Sequence, residues 1–157
     1  MAEPAREELT PSATIVVRSR RFGTYEVPAE RIVTFPAGLI GFPEACRFAL
    51  LEPNRPHSPF RYLICVDLPE LAFVVCNPHD FWPGFVAEVP RPLDVQGDVA
   101  VLVLVTIPNN PREMTANLMA PIVIDCESRR GAQLVLDTGR YSTRHPLLPA
   151  APPEHQG

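Results

Sequence analysis

Residues 99–107 read Val-Ala-Val-Leu-Val-Leu-Val-Thr-Ile, an apolar run in which a β-branched side chain recurs at every second position. Strand side chains point alternately to the two faces, and β-branched residues favour the extended backbone. The run therefore predicts a strand that is apolar on both faces, which a small sheet protein must cover with its own chain or with a partner. Pro108 and Pro111 flank two asparagines and end the strand, because proline has no N–H to donate to a ladder.

Residues 121–124, Pro-Ile-Val-Ile, give a second strand signal, and the simplest arrangement is a central antiparallel pair with residues 99–107. The intervening segment has two interpretations. Asn110 with Glu113 offers a helix cap, and Met114 and Leu118 are spaced for one helical face. Alternatively, residues 115–125 form one long strand, and this is the interpretation that we favour.

Proline supplies 20 of the 157 residues and recurs wherever a long helix would have to run, which argues against an α-rich fold. Short strand signals recur about every ten residues with turn signals between them, as in antiparallel sandwiches and small barrels. The predicted strands are residues 13–18, 22–27, 31–35, 48–52, 60–66, 71–76, 99–107, 121–124 and 131–137. Brief helical turns are expected at residues 43–47 and 77–82. The predicted fold class is all-β, an antiparallel domain with short helical turns.

The domain organisation follows from the same pattern. We expect residues 13–147 to form one β domain, preceded by a flexible polar lead-in over residues 1–12. Residues 148–157 hold three prolines and are expected to be a disordered tail. Residues 85–94 also carry prolines, which predicts an edge segment or an irregular one.

Charge and cysteine usage narrow the functional class. The net charge is −4, whereas a nucleic-acid binder usually carries a basic patch, so direct nucleic-acid binding is not favoured. Four cysteines without CxxC spacing suggest reduced, buried thiols of a cytosolic protein. No apolar run approaches the ~18 residues of a membrane span, and the N-terminus is charged where a signal peptide would be apolar. We therefore predict a cytoplasmic protein that does not insert into membranes.

A search for catalytic groups finds one weak candidate. Cys76, His79 and Asp80 lie close in sequence and leave open a small-ligand or hydrolytic barrel, but Cys76 ends an apolar strand without an electropositive setting. The four histidines share no metal-ligand spacing, and no phosphate-binding loop or nucleophile elbow is present. We predict no enzyme activity, no cofactor and no metal. A direct RNA-binding barrel is the other alternative, since small barrels often bind nucleic acid.

Four blocks of sequence carry a family resemblance. They are TFPAGLIGF at 34–42, DLPELAFVVCNP at 67–78, the stretch from VTIP at 105–108 through MTANLMAPIVI at 114–124, and YSTRHPL at 141–147. In this order and spacing they resemble the bacterial flagellar assembly factor FliW family, over roughly residues 15–147. The combination of the last two blocks is specific.

The resemblance implies a small, cytoplasmic, β-barrel-like protein without catalytic activity. Members of the family bind newly made flagellin as a chaperone and also bind CsrA, a small dimeric RNA-binding protein that represses flagellin translation. The implied mechanism is a partner switch. Free factor antagonises the repressor, and accumulating flagellin occupies the factor and releases the repressor.

Partner contacts are expected from the hairpin at 67–78 and the segment at 114–121, where turns meet apolar strand ends. Hot spots are usually a minority of an interface, and Leu71, Phe73, Asn117 and Leu118 are the residues expected to matter most. Asn117 has an alternative role, because its amide is suited to satisfying backbone groups where a strand begins. For the apolar residues the alternative is a place in the core. The full set of predicted contact residues is Leu68, Leu71, Phe73, Asn77, Pro78, Met114, Thr115, Asn117, Leu118 and Pro121.

Overall fold

The structure is a computed structural model and describes residues 13–53, 55–85, 89–90, 97–136 and 138–147. The predicted lead-in, the predicted tail and most of residues 85–94 lie outside these ranges. The strands are β1 (Thr14–Ser19), β2 (Gly23–Pro28), β3 (Ile32–Thr34), β4 (Arg47–Leu51), β5 (Phe60–Cys65), β6 (Ala72–Cys76), β7 (Val99–Thr106), β8 (Thr115–Ala116), β9 (Ile122–Asp125), β10 (Arg130–Gln133) and β11 (His145–Pro146). Single 3-10 turns lie at Ala29–Arg31, Pro78–Asp80 and Pro111–Glu113. In the described part of the chain, no helix is long and apolar enough to cross a membrane.

Strand β7 closes the main sheet into a barrel. It pairs with β6 along one edge and with β9 along the other, so that the ring runs β7-β6-β5-β4-β3-β10-β9 and back to β7. All these pairings are antiparallel except β3 with β10, where Arg130 faces Thr34 and the Thr34 N–H donates to the Arg129 carbonyl at 2.9 Å. The all-β barrel and the central antiparallel pair are therefore confirmed.

Both faces of β7 are covered by the chain itself. Leu102 and Leu104 pack into the barrel interior, whereas Val103 and Val105 pack outside it in a second cluster. The outer cluster is completed from the C-terminal part of the domain by two buried leucines, Leu136 and Leu147. The β1–β2 hairpin covers a third cluster over β4 and β5. The surplus apolar surface predicted from the sequence is therefore consumed inside the domain.

The predicted long strand over residues 115–125 is wrong. β8 spans only two residues, after which Asn117 Oδ1 accepts from the Met119 N–H at 3.1 Å and the Ala120 N–H at 3.0 Å. This turn carries the chain out of the ladder, and β9 begins only after Pro121. Local side-chain bonding of this kind competes directly with strand pairing.

Two further predictions need correction. The helical turn predicted at 43–47 is absent: residues 43–44 form a turn, and Arg47 already begins β4. β10 ends at Gln133, four residues earlier than predicted. The Leu134 N–H still donates to the Pro121 carbonyl, but proline has no N–H to return a bond, so the ladder stops there. By contrast, the helical turn predicted at 77–82 is present over Pro78–Asp80.

The two ends of the barrel differ. At one end the segment from Phe35 to Ala45 folds across the opening and buries Phe35 and Leu39 against the interior cluster. At the other end the strands continue into charged residues, and a cleft opens to solvent.

Candidate partner-binding surface

The predicted contact residues do not form one surface. Leu68, Leu71 and Phe73 are half-buried and pack against the cluster inside the barrel. Met114 and Leu118 pack against the cluster on the outer side of β7. The side chains of the two predicted segments therefore divide between the interior and the exterior of the barrel wall.

Burial separates the candidates further. Leu118 is 1% exposed, and Pro78 and Pro121 are fully buried, so these three side chains do not reach a partner directly. Asn77 is exposed, and its Oδ1 accepts from the His79 N–H at 2.9 Å. Asn77 therefore caps a turn, as Asn117 does at the start of the 117–120 turn. Thr115 and Asn117 are half-buried, as are the remaining apolar candidates.

The most accessible aromatic contact is made by Phe42 and Phe73. Their ring centroids lie 6.0 Å apart in an edge-to-face arrangement, and Phe73 also contacts the fully buried Phe48 at 6.4 Å. Phe42 is 37% exposed and Ile40, at the tip of the same turn, is 54% exposed. We call Ile40, Phe42 and Phe73 the Phe42 patch. An aromatic side chain that is accessible yet fixed on a packed base is a typical binding anchor.

Sequence reasoning did not identify Ile40 and Phe42 as contact residues. The available signal was an apolar segment bounded by Gly38 and Gly41, which turns back on itself so that Leu39 and Phe42 pair. The turn holds Leu39 in the core and leaves Ile40 and Phe42 at the surface.

A second surface feature is an aromatic pocket of about 210 Å³, lined mainly by Trp82, Phe85, Tyr141 and His145, with Leu118 among the residues beneath it. Its walls come from distant parts of the sequence. The Leu118 N–H donates to the Ser142 carbonyl at 3.1 Å, and the ring of His145 meets Trp82 edge-on at 5.2 Å. The segments 114–121 and 141–147 therefore build one pocket together.

The turn between β5 and β6 is tied to β4 by an ion pair. Arg47 Nη2 lies 2.7 Å from Asp67 Oδ1, and this hydrogen bond lowers the pKa of the Asp67 carboxyl. Both side chains are about half exposed, so the pair contributes little to stability. The pair joins the β5–β6 turn to the first residue of β4.

The comparisons with known proteins agree with this architecture. The family described as "FliW protein" matches residues 16–147. A flagellar assembly factor FliW of Alkaliphilus metalliredigens is 35% identical over 140 residues, 85% of this chain and 86% of its own length. One of Natranaerobius thermophilus is 37% identical over 140 residues, 84% of this chain and 91% of its own length. The chain belongs to the FliW family.

The family assignment extends to three dimensions. A crystal structure of the flagellar assembly factor FliW superposes with a TM-score of 0.77 at 33% identity, covering 87% of this chain and 99% of that one. The resemblance read from the four sequence blocks is thereby confirmed. In the fold of this FliW family member, the first block supplies most of the segment from Phe35 to Ala45 that closes one end of the barrel, which we call the plug. The last two blocks meet at the aromatic pocket.

Cys76 is poorly suited to the hydrolytic alternative. The residue is 1% exposed, and burial, with a smaller contribution from the charge of Asp80, raises the pKa of its thiol from 9.0 to about 12. A thiol with that pKa is protonated at neutral pH, whereas nucleophilic cysteines depend on the thiolate. Within the described residues, no three His, Cys, Asp or Glu side chains are grouped so as to hold a metal ion.

Thiol labelling tests this arrangement. We expect a maleimide at pH 8 to modify the exposed Cys126 rapidly and the half-buried Cys46 more slowly, while Cys65 and Cys76 stay protected in the folded protein. The raised pKa alone gives Cys76 roughly a thousandfold less thiolate than a pKa of 9.0 would. Mass spectrometry of timed aliquots measures the order, and addition of denaturant should expose all four thiols. Rapid labelling of Cys76 in the folded protein would contradict the structure.

Proposed function

We propose that this FliW family member is a non-enzymatic flagellar assembly factor that binds flagellin and antagonises the translational repressor CsrA by a partner switch in the cytoplasm. The observation that carries the proposal is family membership across residues 16–147. Relatives matched over most of their length are named flagellar assembly factors. The protein thereby adjusts flagellin synthesis to flagellin export.

The switch needs only an unfavourable coupling between two partners on one molecule. If bound flagellin weakens repressor binding by some factor, bound repressor weakens flagellin binding by the same factor, because coupling free energies are reciprocal. Free flagellin then sets how much repressor is held, without any chemical step. A barrel that presents accessible apolar side chains, as Ile40 and Phe42 do here, fits this role.

Charge and surface chemistry support the two partners. The chain carries a net charge of −4, which complements the basic surface that an RNA-binding repressor presents. The Phe42 patch offers apolar anchors of the kind that amphipathic protein segments use. The members of the predicted set that are half-buried or exposed remain proposed contacts beside Ile40 and Phe42; they are Leu68, Leu71, Phe73, Asn77, Met114, Thr115 and Asn117.

The proposal is tested by isothermal titration calorimetry with purified flagellin and purified CsrA, first separately and then in competition. We expect each to bind the full-length chain, and saturating flagellin to reduce the apparent affinity for the repressor. The switch is wrong if both partners bind at once without affecting each other. Failure of both to bind would overturn the proposal as a whole.

Replacing Phe42 with serine is expected to weaken binding of at least one partner by about tenfold or more. Buried aromatic anchors commonly contribute ~2 kcal/mol or more to an interface, and Phe42 is accessible enough to act as one. Val16→Ser is the matched control, since Val16 is 43% exposed but lies on the β1–β2 hairpin, outside the patch. The Phe42 patch is not a contact surface if the two variants bind both partners as tightly as the unmodified chain does.

A further inference from the structure

At the open end of the barrel, the inward-facing positions change from apolar to charged side chains. Strand side chains alternate between the two faces, and Val33 of β3 and Leu50 of β4 point into the interior cluster. Arg31 lies two residues before Val33 and Glu52 lies two residues after Leu50, so the same alternation directs both of them inward. On β5 the inward position next to Leu63 is Arg61. On these three strands the interior is therefore apolar up to its last layer, where charged side chains take the place of apolar ones.

These residues line a cleft of about 420 Å³. The volume falls in the range of small-molecule sites. Its floor is hydrocarbon, supplied by Val33 and Leu50 together with Ala100 of β7 and Ile124 of β9. The cleft lies between strands that the barrel fixes rigidly, which favours a preformed binding site.

The rim of the cleft is strongly basic in an acidic protein. Arg31, Arg61 and Arg129 line it against one carboxylate, Glu52, although the whole chain carries a net charge of −4. The only described ion pair among these residues is long, with Arg61 Nη2 4.0 Å from Glu52 Oε2. The Nε of Arg129 is buried and has no hydrogen-bond partner within the protein. Three guanidinium groups against one carboxylate therefore leave the rim with a net positive charge.

We propose that this cleft binds a small carboxylate carried on a compact apolar body. Guanidinium groups match the planar, two-oxygen geometry of a carboxylate, and the hydrocarbon floor accommodates an apolar tail. Inorganic phosphate also offers oxygens to guanidinium groups, but it has no apolar body to cover the hydrocarbon floor and should bind more weakly. The proposal is independent of the partner switch and involves a different part of the barrel from the Phe42 patch.

The same chemistry is presented by a free short-chain acid and by the C-terminal residue of a peptide. Two probes distinguish these sources in titrations of the full-length chain: 4-methylpentanoate represents the free acid, and N-acetyl-leucine represents the peptide terminus. The neutral 4-methylpentanamide and inorganic phosphate serve as control ligands. Binding is followed by amide chemical shifts at Ala100 and Ile124, and by protection of the exposed Cys126, which lines the cleft, from alkylation.

We expect at least one carboxylate probe to bind saturably and to slow alkylation of Cys126 but not of Cys46, and the amide to bind at least about tenfold more weakly. The tighter of the two probes identifies the source. The site is overturned if neither probe binds, if the amide binds equally well, or if phosphate binds as tightly as the better carboxylate.

Variants assign the binding to the rim. Arg61→Gln removes one guanidinium, and Arg129→Asn removes another while keeping a residue that tolerates the left-handed backbone at φ 64°. Each is expected to weaken the carboxylate probe by about tenfold or more. Arg18→Gln, at an exposed position on β1, is the matched loss of charge and should leave binding unchanged. Equal effects of Arg18→Gln and Arg61→Gln would show that binding depends only on the net charge of the protein, and would overturn the proposed site.

Discussion

Leu118→Asp is expected to unfold the protein. Leu118 is 1% exposed and packs in the outer cluster with residues of β7 and with Leu147. A carboxylate at this position loses the packing of a buried leucine, ~2–5 kcal/mol, and adds the cost of an unpaired buried charge. Because a domain of this size is stable by only ~5–15 kcal/mol, the sum removes most or all of the stability. Far-UV circular dichroism and urea denaturation at neutral pH measure it.

Ile107→Asp is the matched control. Ile107 directly follows β7 but is 40% exposed, so its substitution should change the free energy of unfolding by about 1 kcal/mol or less. A Leu118→Asp variant with an unchanged denaturation midpoint would show that this side chain reaches solvent. Leu118 would then return to the set of direct partner contacts.

The strands could be predicted from the sequence because their signals are local. β7 is an apolar run bounded by turn residues, and the β1–β2 hairpin has clear strand signals on either side of a polar turn. The failure at 115–125 has an equally local cause. The Asn117 side chain bonds two backbone N–H groups and competes with the ladder, and apolar periodicity does not register that competition. The early end of β10 depends instead on its partner across the ladder, since Pro121 has no N–H to return the bond from Leu134.

The site was harder to predict than the fold. On β6, Phe73 and Val74 are both apolar, and nothing in the alternation says which one faces the barrel interior. Closure of the barrel decides this, by directing Phe73 inward and Val74 to the outer cluster. Leu118 is buried for a similar reason, since the 141–147 segment folds over it from a distant part of the sequence.

The plug links the core of the barrel to the Phe42 patch. Gly38 has φ 71°, in the left-handed region, and a Cβ built there would lie 2.5 Å from the Pro43 carbonyl oxygen and even closer to that of Phe42. The backbone of this turn therefore passes over Gly38 at a distance that only glycine permits. The position of Phe42 at the surface depends on that close approach.

Gly38→Ala is accordingly expected to destabilise the protein by about 2–4 kcal/mol. This figure is the sum of two costs: the left-handed backbone conformation of an alanine, and the steric clash of its Cβ with backbone atoms. At this chain length that corresponds to a fall in Tm of roughly 10 °C. If the variant is still folded, displacement of the turn should also weaken partner binding through Phe42. Thermal denaturation and the calorimetric titrations with flagellin and CsrA measure the two effects.

Gly41→Ala separates the cost of the left-handed backbone from the cost of the steric clash. Gly41 lies in the same turn with φ 88°, but a Cβ there would meet nothing within 4 Å, so its substitution carries the backbone cost alone, about 1 kcal/mol. The difference between the two variants therefore measures the close approach over Gly38. Equal losses of stability would show that the turn relaxes freely, and the plug would then not be what fixes the Phe42 patch in place.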